Sequence, residues 1–375
     1  MSLCFPTRAF LPPSDPLGRL PGEFRIWDEL TLEIPKLLAA GIARNTLQSI
    51  PHLDPLELRS QSERERALGI LSVFAHVAVN ESWRTSTAGT VPKSIAVPWV
   101  ILARNMRRFP VLTYSSHGLN NWRRLDPDGP IGLGNIVALR NFFGGLDEEW
   151  FIMLHVDIEA RAIPILYAVK SLYEADSNQL DPQWVSGELA KIATSIEGMI
   201  STLLRVQENC NPDIFFNRVQ PFMHGMKGVI YEGVVELKEN PQNYPGGSGA
   251  QSALLPLLDA VLGVRHAPDA LISYLHELRR YMPVEHQEFL SAIESSGFIR
   301  EFVLSTSTPE LTTQYNRCLE ELARFRDEHL KITIEYIQRP ALRQASDRGE
   351  RGTGGSPFVG YLKKHRKETL SNIIK

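Results

Sequence analysis

Within the run LARFRDEHLKITIEYIQR, residues Leu322, Phe325, His329, Ile332 and Tyr336 recur at spacings of three, four, three and four. On a 3.6-residue period these positions share one face, so 322–339 predicts a helix whose apolar stripe carries an imidazole between large hydrophobes. Two chemistries fit such a residue. A buried histidine with one or two hydrogen bonds is a satisfied core residue. A neutral imidazole in an apolar wall is also what a metal or haem iron takes as its ligand. Arg326, one turn earlier on nearly the same face, suits the second chemistry as a partner for a propionate.

A second histidine has the same kind of setting. Phe151, His155, Ile158 and Ala162 fall four, three and four apart, behind Asp147 as an expected N-cap and Glu148 and Glu149 in the first turn. By itself His155 reads as core, as His76 does in its own helix. Two histidines on the apolar stripes of separate helices make a shared function harder to dismiss.

These side chains must be held by a helical scaffold. Residues 1–22 are proline-rich and read as an extended arm lying against the body. Glu23 to Ile50 and Gln61 to Asn80 read as amphipathic helices, and 95–108 returns to an apolar pattern interrupted by Pro98. The stretch 109–130 containing Tyr114 and His117 reads as loop-like. Asp181 with Pro182 predicts a capped helix to about Glu208, and Thr308 with Pro309 starts the His329 helix, which Pro340 is expected to end. Further helices are expected at 269–281, at 285–295 and from about Pro357 onward. The segment 344–356 has the composition of a mobile loop. Strand-like alternation is nowhere convincing, so the fold class is all-α. A glycine-dense stretch at 130–145 sets the expected division into a small N-terminal domain, 1–140, and a large helical domain, 141–375.

Composition excludes several classes. Among 375 residues the formal net charge is −3, which gives no sign of a nucleic-acid or acidic-membrane partner. The three cysteines, Cys4, Cys210 and Cys318, are too few and too scattered for a disulfide framework or a thiolate cluster, and a reducing cytoplasm suits them. No secretory pattern and no run approaching ~20 apolar residues is present. The glycines before Gln251 are not followed by the lysine that a phosphate loop requires.

Seven blocks in order, VPKSIAVPW (91–99), NPDIFFNRVQPF (211–222), GGSGAQSALLPLLDAVLG (246–263), LRRYMPVEHQEFL (278–290), REFVLS (300–305), RFRDEHLKITIEYIQRPA (324–341) and GTGG (352–355), resemble the indoleamine 2,3-dioxygenase family from about residue 90 onward. The resemblance implies a haem enzyme that opens the indole ring, with haem b, ferrous in the active form, as cofactor and O2 and a small indole as partners. It puts His329 at the proximal iron ligand and Arg326 at an arginine that meets a propionate. Phe215 and Phe216 correspond to paired aromatics that close over the substrate, and Phe151 and Tyr114 to the pocket wall. Ser248 and Gly249 correspond to the glycine-rich segment beside the haem, and Thr353 to a mobile loop residue that closes the site.

Departures from the family pattern bear on the substrate. His155 stands where animal members have a distal serine, and related tryptophan dioxygenases have a histidine there. It is expected to orient the indole N–H or accept its proton. Gln220 replaces the arginine that pairs with the amino-acid carboxylate. A neutral amide hydrogen bond contributes about 1 kcal/mol, against about 1.5–3 kcal/mol for a charge-assisted one. Arg218 is a poor substitute on a helix, being two residues away. His117 is a further oddity of the distal stretch, either a pocket base or a solvent-exposed or structural residue. The expected activity is therefore dioxygenation of tryptophan or a related indole by a monomer or weak homo-oligomer. The alternatives are a haem enzyme acting on an indole without the carboxylate, and a haem sensor with His155 and His329 both on iron.

Overall fold

The computed structural model describes residues 5–85, 89–175, 180–344, 346 and 358–375. The chain is 65% helical with 5% strand, an all-α architecture. Its few strands are two to six residues long, too short for a period of two to show in the sequence. Met226–Tyr231 pairs in parallel with Thr90–Val91 and antiparallel with Gln242–Tyr244. Trp122–Arg124 pairs with Ile136–Ala138.

The scaffold of the site is a pair of long helices, Pro309–Thr333 and Pro182–Leu204. Each begins with proline in its first turn, where the missing N–H costs nothing. The Asp181 carboxylate caps the second by accepting from Trp184 N at 2.8 Å. Val185, Leu189, Ile192 and Ile196 of that helix share one core with Leu311, Tyr315, Leu319 and Leu322 of the first. The Cys318 thiol, whose pKa burial pushes up to about 12, donates to Leu189 O at 3.1 Å. Cys318 is thus a packed core thiol.

A second core gathers most buried apolar residues of 20–112 with Phe222, Met226, Tyr231 and Leu278 from later in the chain. His76 is a satisfied member of this region, with Nδ1 2.8 Å from Phe222 O and Nε2 accepting from Leu112 N at 3.0 Å. Burial lowers its pKa to about 4, so the ring is neutral with the proton on Nδ1. It ties the start of the Tyr114 segment to the Phe215–Phe222 segment. The N-terminal arm lies against the body: Phe10 is buried against Phe289, and Asp15 accepts from Arg8 and Arg124.

Three local expectations change. Glu23–Ile50 is not one helix, because Arg25–Ala40 ends at Gly41 in the left-handed conformation before Ala43–Gln48 begins. The His329 helix does not stop at Pro340. It widens into a π-helical turn, Ile334–Gln338, and continues as Arg339–Arg343, and the wider turn takes up the proline's absent donor. Asp147 does not cap the His155 helix, which runs Leu146–Arg161 with Gly145 as N-cap. Its first-turn carboxylates reach outward instead: Asp147 accepts from Asn211 N at 2.6 Å, Glu149 from Ala138 N, and Glu148 from Phe142, Phe143 and Gly144 N at 2.6–3.0 Å. Glu148 and Glu149 hold the preceding loop onto the helix, and Asp147 holds the start of the Asn211 segment.

Candidate active site

His155 and His329 line one cavity of about 190 Å³. The first comes from the middle of Leu146–Arg161 and the second from the last turn of Pro309–Thr333. His155 Nδ1 is 2.8 Å from Phe151 O, one turn back. A ring nitrogen facing a carbonyl must carry the proton, which leaves His155 Nε2 as an acceptor. Its ring packs edge-on against Phe151 at 4.6 Å and Tyr114 at 5.8 Å. Burial lowers its pKa. Burial, with a contribution from His155, also lowers that of His329 to about 4. Both rings are therefore neutral at physiological pH.

His329 Nδ1 is buried without a hydrogen-bond partner, and the residue lines the cavity. A core imidazole is normally satisfied, so the first of the two chemistries read from this residue lacks its required hydrogen bond. The residues present fit a haem. A neutral imidazole is available for axial ligation, Phe151, Phe215, Ile332 and Tyr336 form apolar walls, and open space lies where a Cβ at Gly249 would stand. At Gly249 and Ala250 this cavity adjoins a larger one of about 780 Å³ that includes Arg326.

The glycine-rich segment has two jobs. At Gly246 a Cβ would come within 2.1 Å of Met223 O, so only glycine permits this backbone approach. Ser248 and Gly249 lie on the cavity wall, where Ser248 Oγ accepts from Ala250 N at 3.2 Å.

Arg326 is buried and lines the larger cavity. Its Nη2 lies 2.8 and 2.7 Å from the two oxygens of Asp259, and its Nη1 contacts the Thr369 hydroxyl. Burial opposes ionisation of Asp259, but Arg326 and His266 together hold its carboxyl below the usual range. The immediate anionic partner of Arg326 is thus a carboxylate of the protein itself.

The Tyr114 stretch is not a loop where it meets the cavity. Ser115–Leu119 is a π-helical turn, with His117 N donating to Thr113 O at 2.9 Å. His117 is buried, 8% exposed, stacks near Phe142 at 6.0 Å and leaves Nε2 without a partner. Burial pushes its pKa down to about 3, with His155 and Arg140 adding to the shift.

Phe215 lines the cavity, 4.6 Å from Phe151, whereas Phe216 is wholly buried behind the wall. Gln220 is likewise fully buried and off the wall, with neither amide atom partnered. Arg218 is exposed, its guanidinium 4.9 Å from the Phe143 ring, and does not replace the missing cation. Among the described residues no lysine or arginine lines the His155–His329 cavity. Thr353 and most of 344–356 lie outside the described residues.

Glu159 was not singled out by the sequence reasoning. It lies one turn after His155, is buried, and accepts from the Tyr114 hydroxyl at 3.1 Å and the Ser252 hydroxyl at 2.7 Å. Burial raises its pKa to about 7 against these two hydrogen bonds. A carboxyl four residues after a histidine on one apolar face was the available signal.

Fold and site together define a helical protein with two neutral imidazoles in an apolar, haem-compatible cavity. Residues 4–372 match the family model described as indoleamine 2,3-dioxygenase. The chain is 31% identical over 380 residues to indoleamine 2,3-dioxygenase 2 of Homo sapiens, covering 96% of this chain and 92% of that one. It is 30% identical to indoleamine 2,3-dioxygenase 1 of Rattus norvegicus (96% and 92% covered) and 30% to indoleamine 2,3-dioxygenase of Saccharomyces cerevisiae (98% and 91%). The chain belongs to the indoleamine 2,3-dioxygenase family. It is accordingly an oxidoreductase of the dioxygenase type. No helix among the described residues is long and apolar enough to cross a membrane.

Proposed function

We propose that the protein is a haem-dependent dioxygenase that inserts both atoms of O2 across the indole C2=C3 bond of tryptophan or a related indole, giving an N-formylkynurenine-type product. The observation that carries this reading is the convergence of His155 and His329, both neutral by burial, on one apolar cavity. In this reading the cofactor is haem b, ferrous in the active form; His329 would hold its iron, and Ser248, Gly249 and Arg326 would hold the rest of the group. A reducing cytoplasm and a division near residue 140 belong to the same reading.

When bound, haem supplies the iron that binds and activates O2. The remaining work falls to the chain. His155 Nε2, an acceptor because Nδ1–H is committed to Phe151 O, receives the indole N–H and fixes which ring edge faces the oxidant. Phe151 and Phe215 exclude water and hold the flat ring. Tyr114, whose pKa burial and Glu159 raise well above the ordinary range, stays protonated and braces the His155 ring.

A second reading, an indole without the carboxylate, is favoured by the cavity wall itself: no cationic side chain lines it among the described residues, and Gln220 stands off it. Turnover of L-tryptophan beside indole and tryptamine, with product mass under labelled oxygen, separates the two. Stereoselective cleavage of L-tryptophan supports the first, and preference for the uncharged or decarboxylated indoles supports the second. Absence of oxygen incorporation from all three removes both.

A further inference from the structure

A group of imidazoles and carboxylates lies apart from the His155–His329 cavity. His266 follows the Leu254–Val261 helix and faces a carboxylate with each ring nitrogen: Nδ1 is 2.6 Å from Glu368 Oε2 and Nε2 is 3.0 Å from Asp259 Oδ2. His365, one turn before Glu368 on the C-terminal helix Phe358–Leu370, stacks on His266 with centroids 3.7 Å apart and planes within 8°. One donor atom from each of His266, His365 and Glu368 lies within 4.8 Å of the other two.

We propose that His266, His365 and Glu368 bind a single divalent transition-metal cation, with Zn2+ the best match to the donor set. Two imidazoles and one carboxylate, with a fourth position left for water, are ligands that Zn2+ takes readily. His365 and Glu368 are three residues apart and so share a helix face. His266 and His365 also line the larger cavity, through which an ion and its water reach them. The surroundings have the form of a metal site's support. A ligating histidine commonly gives its other N–H to a carboxylate, and His266 Nε2 already faces Asp259, which Arg326 holds through both oxygens.

Charge and protonation agree with this assignment. Arg326 offsets Asp259, whereas the nearest cation to Glu368 is Lys364 at 3.6 Å, itself paired with Asp269. A dication would take the place of the proton between His266 Nδ1 and Glu368. The His365 donor is a ring-nitrogen lone pair, contributed from the C-terminal helix one turn before Glu368. Because that lone pair lies in the ring plane, coordination exchanges the face-to-face stack for a splayed pair. Bound metal would fasten the C-terminal helix, whose Leu362 reaches the wall of the His155–His329 cavity, to the segment after Val261.

The test uses the purified full-length protein, treated with a chelator and titrated with Zn2+ against a chromophoric competitor. One equivalent bound, a rise in Tm, and at least a tenfold loss of affinity in both His365→Ala and Glu368→Gln are expected. No stoichiometric uptake by the wild type, or unchanged affinity in both variants, overturns the assignment. If the variants do not fold, anomalous diffraction at the zinc edge from wild-type crystals decides. A peak bonded to all three side chains supports the site, and a peak elsewhere overturns it.

Discussion

The Tyr114 hydroxyl donates to Glu159 Oε1 at 3.1 Å, and the Tyr114 ring packs edge-on against His155. Ser252 shares the same oxygen, and Glu159 Oε2 is buried without a partner. The carboxyl is therefore better tolerated protonated than charged. With a folded pKa of about 7 against 4.5, its contribution to stability is fully present below the unfolded value and is lost as pH rises through the folded one. The loss is on the order of 3 kcal/mol at full burial. Glu159→Gln should flatten the pH dependence of the urea midpoint between about pH 4.5 and 7, the window set by those two values. An unchanged slope would show that Glu159 is ionised throughout.

His329→Ala should give a folded, helical protein that no longer retains stoichiometric haem. The His329 imidazole, neutral with a pKa near 4, is the donor that would hold the haem iron in the proposed site. Circular dichroism reports the fold and the Soret band the cofactor. A normal Soret band at full occupancy in the variant removes the assignment.

Replacing His155 with alanine should leave haem content intact and lower kcat/KM for an indole by about 10²-fold, at the low end of what a positioned acceptor contributes. Because burial lowers the His155 pKa, the wild-type acid limb from this group should lie below the ordinary histidine range. A six-coordinate, low-spin ferrous spectrum that becomes five-coordinate in the variant would instead identify His155 as a second iron ligand. That outcome favours the sensor.

Gln220→Met should stabilise the protein by about 1 to 2 kcal/mol, because it removes a fully buried amide whose two polar atoms have no partner while nearly conserving volume. The chemical-denaturation midpoint reports it. A destabilised variant would mean that the amide is satisfied in solution, for example by a bound water.

Much of the scaffold was legible because helical periodicity and capping are local. The stripes through His155 and His329, the Asp181–Pro182 start and the Thr308–Pro309 start all follow from residues within a few positions of one another. Helix breaks were less legible. Gly41 and the π-turn before Pro340 alter the hydrogen-bond ladder without disturbing the apolar pattern on either side. The short strands lacked enough residues to show alternation, and the turn carrying His117 carried no capping signal.

By itself, the sequence determined that this is a helical protein with a histidine on each of two apolar stripes, and its ordered blocks determined the family. Only the tertiary structure decided that the two stripes face the same cavity, that Arg326 is held by Asp259, that Glu159 backs the Tyr114 ring, and that Gln220 and Phe216 stand behind the wall. The reason lies in range. A helical period is written in neighbouring residues, whereas the pairing of buried charges and the closing of a cavity depend on which distant segments the whole core brings into contact.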